Sequence, residues 1–239
     1  MLDTGTIRTI VGIIGNVISL GLFLSPIPTM VKIAKQKSVG NFKPDPYTAT
    51  VLNCAMWVFY GLPIVHPDST LVITINGAGF VIELVYVTIF LIYSNWTKRR
   101  KIVIALILEA IFIAVMVFVT LFFFQTTKDR SMIVGLVCVV FNIIMYAAPL
   151  TVMKMVIQTK SVKYLPLPLA LANLCNGAIW AIYALLRFDP YVLIPNGLGT
   201  ISGLVQLILY GVFYKTTNWD DNDEEYNKGG KSEVQLTDV

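Results

Sequence analysis

Seven long apolar runs, at residues 7–31, 47–65, 71–93, 102–124, 132–155, 165–186 and 191–214, confine this chain to a narrow set of folds. Each has about the 18 or more residues that carry a helix across a bilayer. In hydrocarbon every backbone N–H and C=O must be satisfied within the protein, which leaves helices and closed barrels. The runs are continuous rather than alternating, so they select helices. The predicted fold is an all-α membrane protein with seven transmembrane helices. Composition agrees: 13% of residues are charged, about half the share typical of soluble domains. The first run is longer than a signal-peptide core, lacks a basic start and ends in Ser25-Pro26-Ile27-Pro28. It is read as a retained helix.

Basic residues divide unevenly between the two ends. Fourteen Lys and Arg fall in the 1–2, 3–4 and 5–6 connections and the C-terminal tail, and four fall on the other side. This bias places the N-terminus outside the cytosol and the C-terminus within it. The net charge of +4 is spread over separate loops, which gives no nucleic-acid footprint. The acidic tail beyond Tyr214 is predicted to be disordered. Asn95 of the Asn95-Trp96-Thr97 sequon falls on the cytosolic side and is expected to carry no glycan. Cys54, Cys138 and Cys175 all lie within spans, so neither a disulfide framework nor a metal site is expected.

The sequence repeats itself. Pro26 and Lys37-Ser38-Val39 recur 123 residues on as Pro149 and Lys160-Ser161-Val162. Asn53, Trp57 and Tyr60 recur at the same offset as Asn176, Trp180 and Tyr183. Asn76-Gly77-Ala78-Gly79 recurs 120 residues on as Asn196-Gly197-Leu198-Gly199. Pro44-Asp45-Pro46 and Pro166-Leu167-Pro168 each precede the second span of a half. Several matches in one order at a near-constant offset define two three-helix repeats. The predicted organisation is 3+1+3: a first repeat over 1–97, a linker helix over 98–127, a second repeat over 128–214 and a tail over 215–239. Three helices end opposite their start and the linker returns the chain, so the repeats are parallel. Solute sites in repeat-built carriers lie between the repeats near the bilayer midplane.

Equivalent asparagines in both halves point to that interface. An amide within a span must find partners. Asn53, Asn76, Asn176 and Asn196 can serve a polar solute, with two donors and an acceptor each, or cross-link helices. Trp57 and Trp180 lie one turn beyond Asn53 and Asn176 on the same face. Their indoles can cover an apolar ligand face or anchor at an interface. No nucleophile–base pair, metal cluster or phosphate loop is visible, so no enzyme activity and no cofactor are expected.

On the paired Asn/Trp/Asn sets, the paired Lys-Ser-Val segments and Pro26, Pro46, Pro149 and Pro166, the chain resembles the SWEET sugar transporters of plants over residues 7–214. The resemblance implies facilitated, bidirectional movement of a neutral sugar without a coupling ion. It implies that Ser19, Leu22, Asn142 and Met145 line the pocket with the asparagines and tryptophans. Asn76 and Asn196 are then the foremost sugar contacts. Bulk at Met145, matched by Leu22, implies a hexose such as glucose. The four prolines resemble a tetrad flanking the cytosolic gate, as hinges or as fixed kinks. Tyr60, Tyr183 and Asp189, with Asp68 as its rough counterpart, are candidates for the outer gate, or else belt and loop residues. The plasma membrane is the expected location, and a homo-oligomer is compatible.

Glu83 and Glu109 are the only acids within spans. Glu83 shares a helix face with Asn76, but its repeat counterpart is Gly203. It is expected to be neutral or bonded to a neighbouring helix. His66 is expected to be solvated in an outer loop. Two other classes compete: a proton-linked repeat transporter for another small solute, which would recruit Glu83, and a seven-helix receptor, which would lack the repeat.

Overall fold

A computed structural model describes residues 3–219. Its elements are helices: α1 (Thr4–Leu24), α2 (Ile27–Gln36), α3 (Asp45–Gly61), α4 (Thr70–Tyr93), α5 (Trp96–Phe123), α6 (Thr127–Met145), α7 (Ala147–Thr159), α8 (Leu167–Leu186) and α9 (Pro190–Phe213). The first span of each half, expected as one helix, is a pair. Helix interruptions at Ser25-Pro26 and at Tyr146 divide α1 from α2 and α6 from α7. Six units are long and apolar enough to cross a membrane, counting Thr4–Gln36 and Thr127–Thr159 as one each. The seventh, α3, has 17 residues. That is the lower end of the spanning range, about 25 Å of helix.

Prolines set several of these boundaries. Pro26 caps α2, and Pro149 sits in the first turn of α7. Pro44 caps α3 with Pro46 just inside, and Pro166 caps α8. In a first turn the missing N–H costs nothing, because that group has no intrahelical acceptor. Lys37 and Lys160, 123 apart, close α2 and α7 in the same left-handed conformation, φ 50° and 55°. Asn95 caps α5 by accepting from Lys98 N at 2.9 Å.

Packing follows the repeat. In the first half α4 lies between α1 and α3. In the second, α8 packs most extensively on α9, which also contacts α6. The halves meet through α1 on α8 and α3 on α6, which are equivalent pairs. The linker α5 lies against α3, α6 and α4. Its outer surface, including Ile107, Leu108, Ile111, Val115 and Phe118, is exposed apolar surface suited to lipid.

One end gathers the α1 N-terminus and the α3–α4 and α8–α9 connections, tied by Arg8 Nη1 donating to Asp68 O (2.8 Å) and by an Arg187–Asp68 ion pair. At the other, Lys98 Nζ donates to Gly40 O (2.9 Å) and Thr216 Oγ1 to Lys160 O (2.6 Å). The tail therefore starts held: the Thr217 hydroxyl accepts from Val162 N at 2.9 Å. The remainder of the predicted disordered tail, from 220 on, lies outside the described residues.

Candidate functional site

Between the halves lies a cavity of about 440 Å³, within the roughly 300–1,000 Å³ of small-molecule sites. Its lining includes Asn53, Asn76, Asn176 and Asn196, Trp57 and Trp180, and Ser19, Leu22, Asn142 and Met145. Asn76 and Asn196 are each the seventh residue of a 24-residue helix, α4 and α9. By helix count this tier lies in the half of α4 and α9 nearer the Arg8 end, while Asn53 and Asn176 stand at the middle of α3 and α8. Each amide is steered by its own helix. Asn76 Nδ2 donates to Val72 O (2.9 Å) and Asn196 Nδ2 to Val192 O (2.8 Å). One N–H is used that way, leaving the other and the oxygen for the cavity.

The second tier of polar groups is less symmetric. Ser19 Oγ donates to Asn176 Oδ1 (2.5 Å) and accepts from Trp180 Nε1 (2.9 Å). Gly15 makes room for that indole, since a Cβ there would lie 3.0 Å from the ring. Asn53, the counterpart of Asn176, keeps a buried Oδ1 with no partner. Aromatic floors are matched: Trp57 meets Tyr60 edge-on at 5.4 Å, and Trp180 meets Tyr183 at 5.2 Å.

The cavity is sealed at the Arg8 end. Buried Tyr60 donates its hydroxyl to Asp189 Oδ1 at 2.8 Å. That oxygen also accepts from Tyr191 N (3.0 Å) and Val192 N (3.2 Å), capping α9. Asp189 Oδ2 faces His66 Nε2 at 3.4 Å. His66 stacks on Tyr60 at 4.7 Å and places Nδ1 2.9 Å from Ser131 Oγ. The expectation of a solvated His66 is thus corrected: its loop folds back over the tyrosine. Burial holds the imidazole below its ordinary value of 6.5, Asp189 acting in the opposite sense. Tyr183 does not repeat the Tyr60 arrangement. The Arg8 guanidinium lies 4.0 Å from its ring centroid, and exposed Asp68 pairs with Arg187 instead.

Pro26 and Pro149 adjoin matched contacts. Phe23, just before the first break, and Tyr146, at the second, are 123 apart, and each rests on a glycine, Gly79 or Gly199. The Tyr146 hydroxyl donates to Pro195 O at 2.5 Å. Away from the Arg8 end the cavity extends past Thr50, Asn173 and Glu83, toward the helix starts that Pro46 and Pro166 mark on α3 and α8. Those three residues escaped the sequence reading as lining groups. Thr50 and Asn173 stand at the repeat offset of 123, a signal that could have found them.

The family described as "sugar efflux transporter for intercellular exchange" matches at residues 9–98 and 132–218, leaving out the linker. The chain is 66% identical over 228 residues to the bidirectional sugar transporter SWEET5 of Arabidopsis thaliana, covering 95% of each. It is 58% identical to that plant's SWEET4, covering 92% of this chain and 88% of that one. A solved structure of a eukaryotic SWEET transporter superposes with a TM-score of 0.85 at 38% identity, over 89% of this chain and 99% of that chain.

Proposed function

The chain belongs to the SWEET family, and we propose that it is a facilitative, bidirectional uniporter for a neutral hexose such as glucose, working by alternating access. It is a member of a transporter family rather than an enzyme. The observation that carries the reading is the cavity itself. Equivalent amides and indoles from two halves enclose it, and the Tyr60–Asp189 bond closes one end. Amides match hydroxyls as donors and acceptors, and the indoles can cover the C–H face of a pyranose. Leu22 and Met145 narrow the cavity, which supports a monosaccharide.

In this reading the Arg8 end is extracellular, the membrane is the plasma membrane, and the conformation opens to the cytosol. Sugar enters past the prolines and settles against Asn76 and Asn196. The halves then rock about the breaks at Pro26 and Pro149 as the Tyr60–Asp189 bond parts. A neutral solute needs no coupling ion, and net flow follows its gradient.

The test is uptake of labelled glucose and sucrose by proteoliposomes at symmetric pH. Glucose should enter and sucrose should not, and Met145→Val should admit the larger sugar. Glu83 on the cavity wall favours a second, proton-linked reading. Collapse of glucose movement on dissipating a pH gradient, with the sugar gradient intact, would establish that one instead.

A further inference from the structure

We propose that Glu83, with Thr50 and Asn173, forms a second sugar subsite on the open side of the cavity, which takes the hydroxyls of a neutral polyol. The inference rests on the sugar-carrier reading above. Glu83 is the one ionisable side chain among the residues lining the cavity. Its residue is 4% exposed, and its Oε2 is buried without a hydrogen-bond partner. The neighbouring donor one turn on is already engaged: the Tyr86 hydroxyl donates to Phe23 O at 2.9 Å. A buried carboxyl oxygen lacking a donor is costly, and most of all within a membrane span, where such groups mark solute paths. Glu83 is residue 14 of the 24 in α4, at the centre of the helix. A hydroxyl-bearing solute supplies the missing donor.

The subsite is distinct from the asparagine tier. Glu83 lies seven residues along α4 from Asn76, on the same face and about 10 Å along the axis. Thr50 and Asn173 come from equivalent points of α3 and α8, one turn before Asn53 and Asn176 on the side toward the opening. The second half cannot supply a partner carboxyl. Its counterpart position is Gly203, where even a Cβ would lie 2.9 Å from Leu174 Cα. Glu83 is thus a one-sided addition to a two-fold frame, placed where sugar from the open side arrives first.

The experiment measures KM and maximal rate for glucose and its 2-, 3-, 4- and 6-deoxy analogues in proteoliposomes, for wild type, Glu83→Gln, Glu83→Ala and Asn76→Ala. Wild type should discriminate against one analogue by about fivefold or more, the value of one hydrogen bond. Glu83→Ala should carry glucose and that analogue alike. Glu83→Gln, which keeps an acceptor, should retain most of the discrimination and reports whether the alanine variant has merely misfolded. Asn76→Ala should erase discrimination at a different hydroxyl. An equal loss for every sugar in both Glu83 variants would overturn the subsite, as would unchanged kinetics or loss of the same hydroxyl in Glu83→Ala and Asn76→Ala. A wild-type protein that moves no glucose would instead overturn the carrier reading.

Discussion

Tyr60 and Tyr183 occupy the same position in two copies of one three-helix unit, yet they do different work. Tyr60 donates to a buried carboxylate and lies under a histidine. Tyr183 carries an arginine on its ring and makes no such bond to Asp68. Below them, the asparagines of α4 and α9 hold the same pose by the same bond to their own helix. Duplication therefore sets the asparagine tier symmetrically, while divergence concentrates at the Arg8 end and at Glu83. A carrier needs this combination. Under the proposed alternating access the solute must be met equally by both halves, but the two ends must close by different means if they are not to open together.

The largest expected effect tests the symmetric tier. Asn76→Ala and Asn196→Ala should each lower the transport rate per unit of sugar by about tenfold or more, the cost of unpaired sugar hydroxyls, with membrane content unchanged. Flux measured beside surface expression checks this. A loss in only one variant would break the equivalence of the halves.

The next sharpens the difference at the gate. Tyr60→Phe removes the donor to Asp189, worth about 1–3 kcal/mol when the acceptor is left buried. A membrane-impermeant thiol reagent should then reach a cysteine placed at Val72, on the cavity wall, several-fold faster from the Arg8 side. Tyr183→Phe should leave that rate nearly unchanged, since the ring that holds Arg8 is kept.

A smaller effect is pH-dependent. With the gate closed, burial depresses the imidazole of His66, and Arg8 and Arg187 press in the same direction against Asp189 and Asp68. An open gate returns the ring to water and to its ordinary 6.5. The closed gate is therefore favoured in full above that value and loses ground as pH falls below it. Acidifying the Arg8 side should raise the same labelling rate by about threefold, and His66→Gln should abolish the dependence. The least effect belongs to Arg187→Ala. Its ion pair with Asp68 is more than half exposed on both partners, so a thermal-unfolding measurement should register at most about 1 kcal/mol.

Much of this molecule was legible in the sequence because its two strongest signals are local. Hydropathy located every span, with α3 the marginal case. Repeat offsets paired Asn53 with Asn176, Trp57 with Trp180 and Asn76 with Asn196, and such pairs can face one another only across the interface of the halves. The same arithmetic was available for Thr50 and Asn173, but a threonine–asparagine match is chemically weaker and does not stand out.

What the chain determined by itself is the helical, parallel 3+1+3 frame and the identity of the amides and indoles within it. These follow from the length of the apolar runs, from motifs that recur at offsets of 120 and 123, and from the requirement that backbone groups in lipid bond within their own segment. Only the tertiary structure decided that His66 folds over Tyr60, and that Asp189 and Arg8 go to different tyrosines. Those outcomes depend on how each helix is rotated about its axis and how far it slides past its neighbour. That is settled by packing between residues distant in the chain, such as Tyr60 with Asp189 and Arg8 with Tyr183, which no local pattern records.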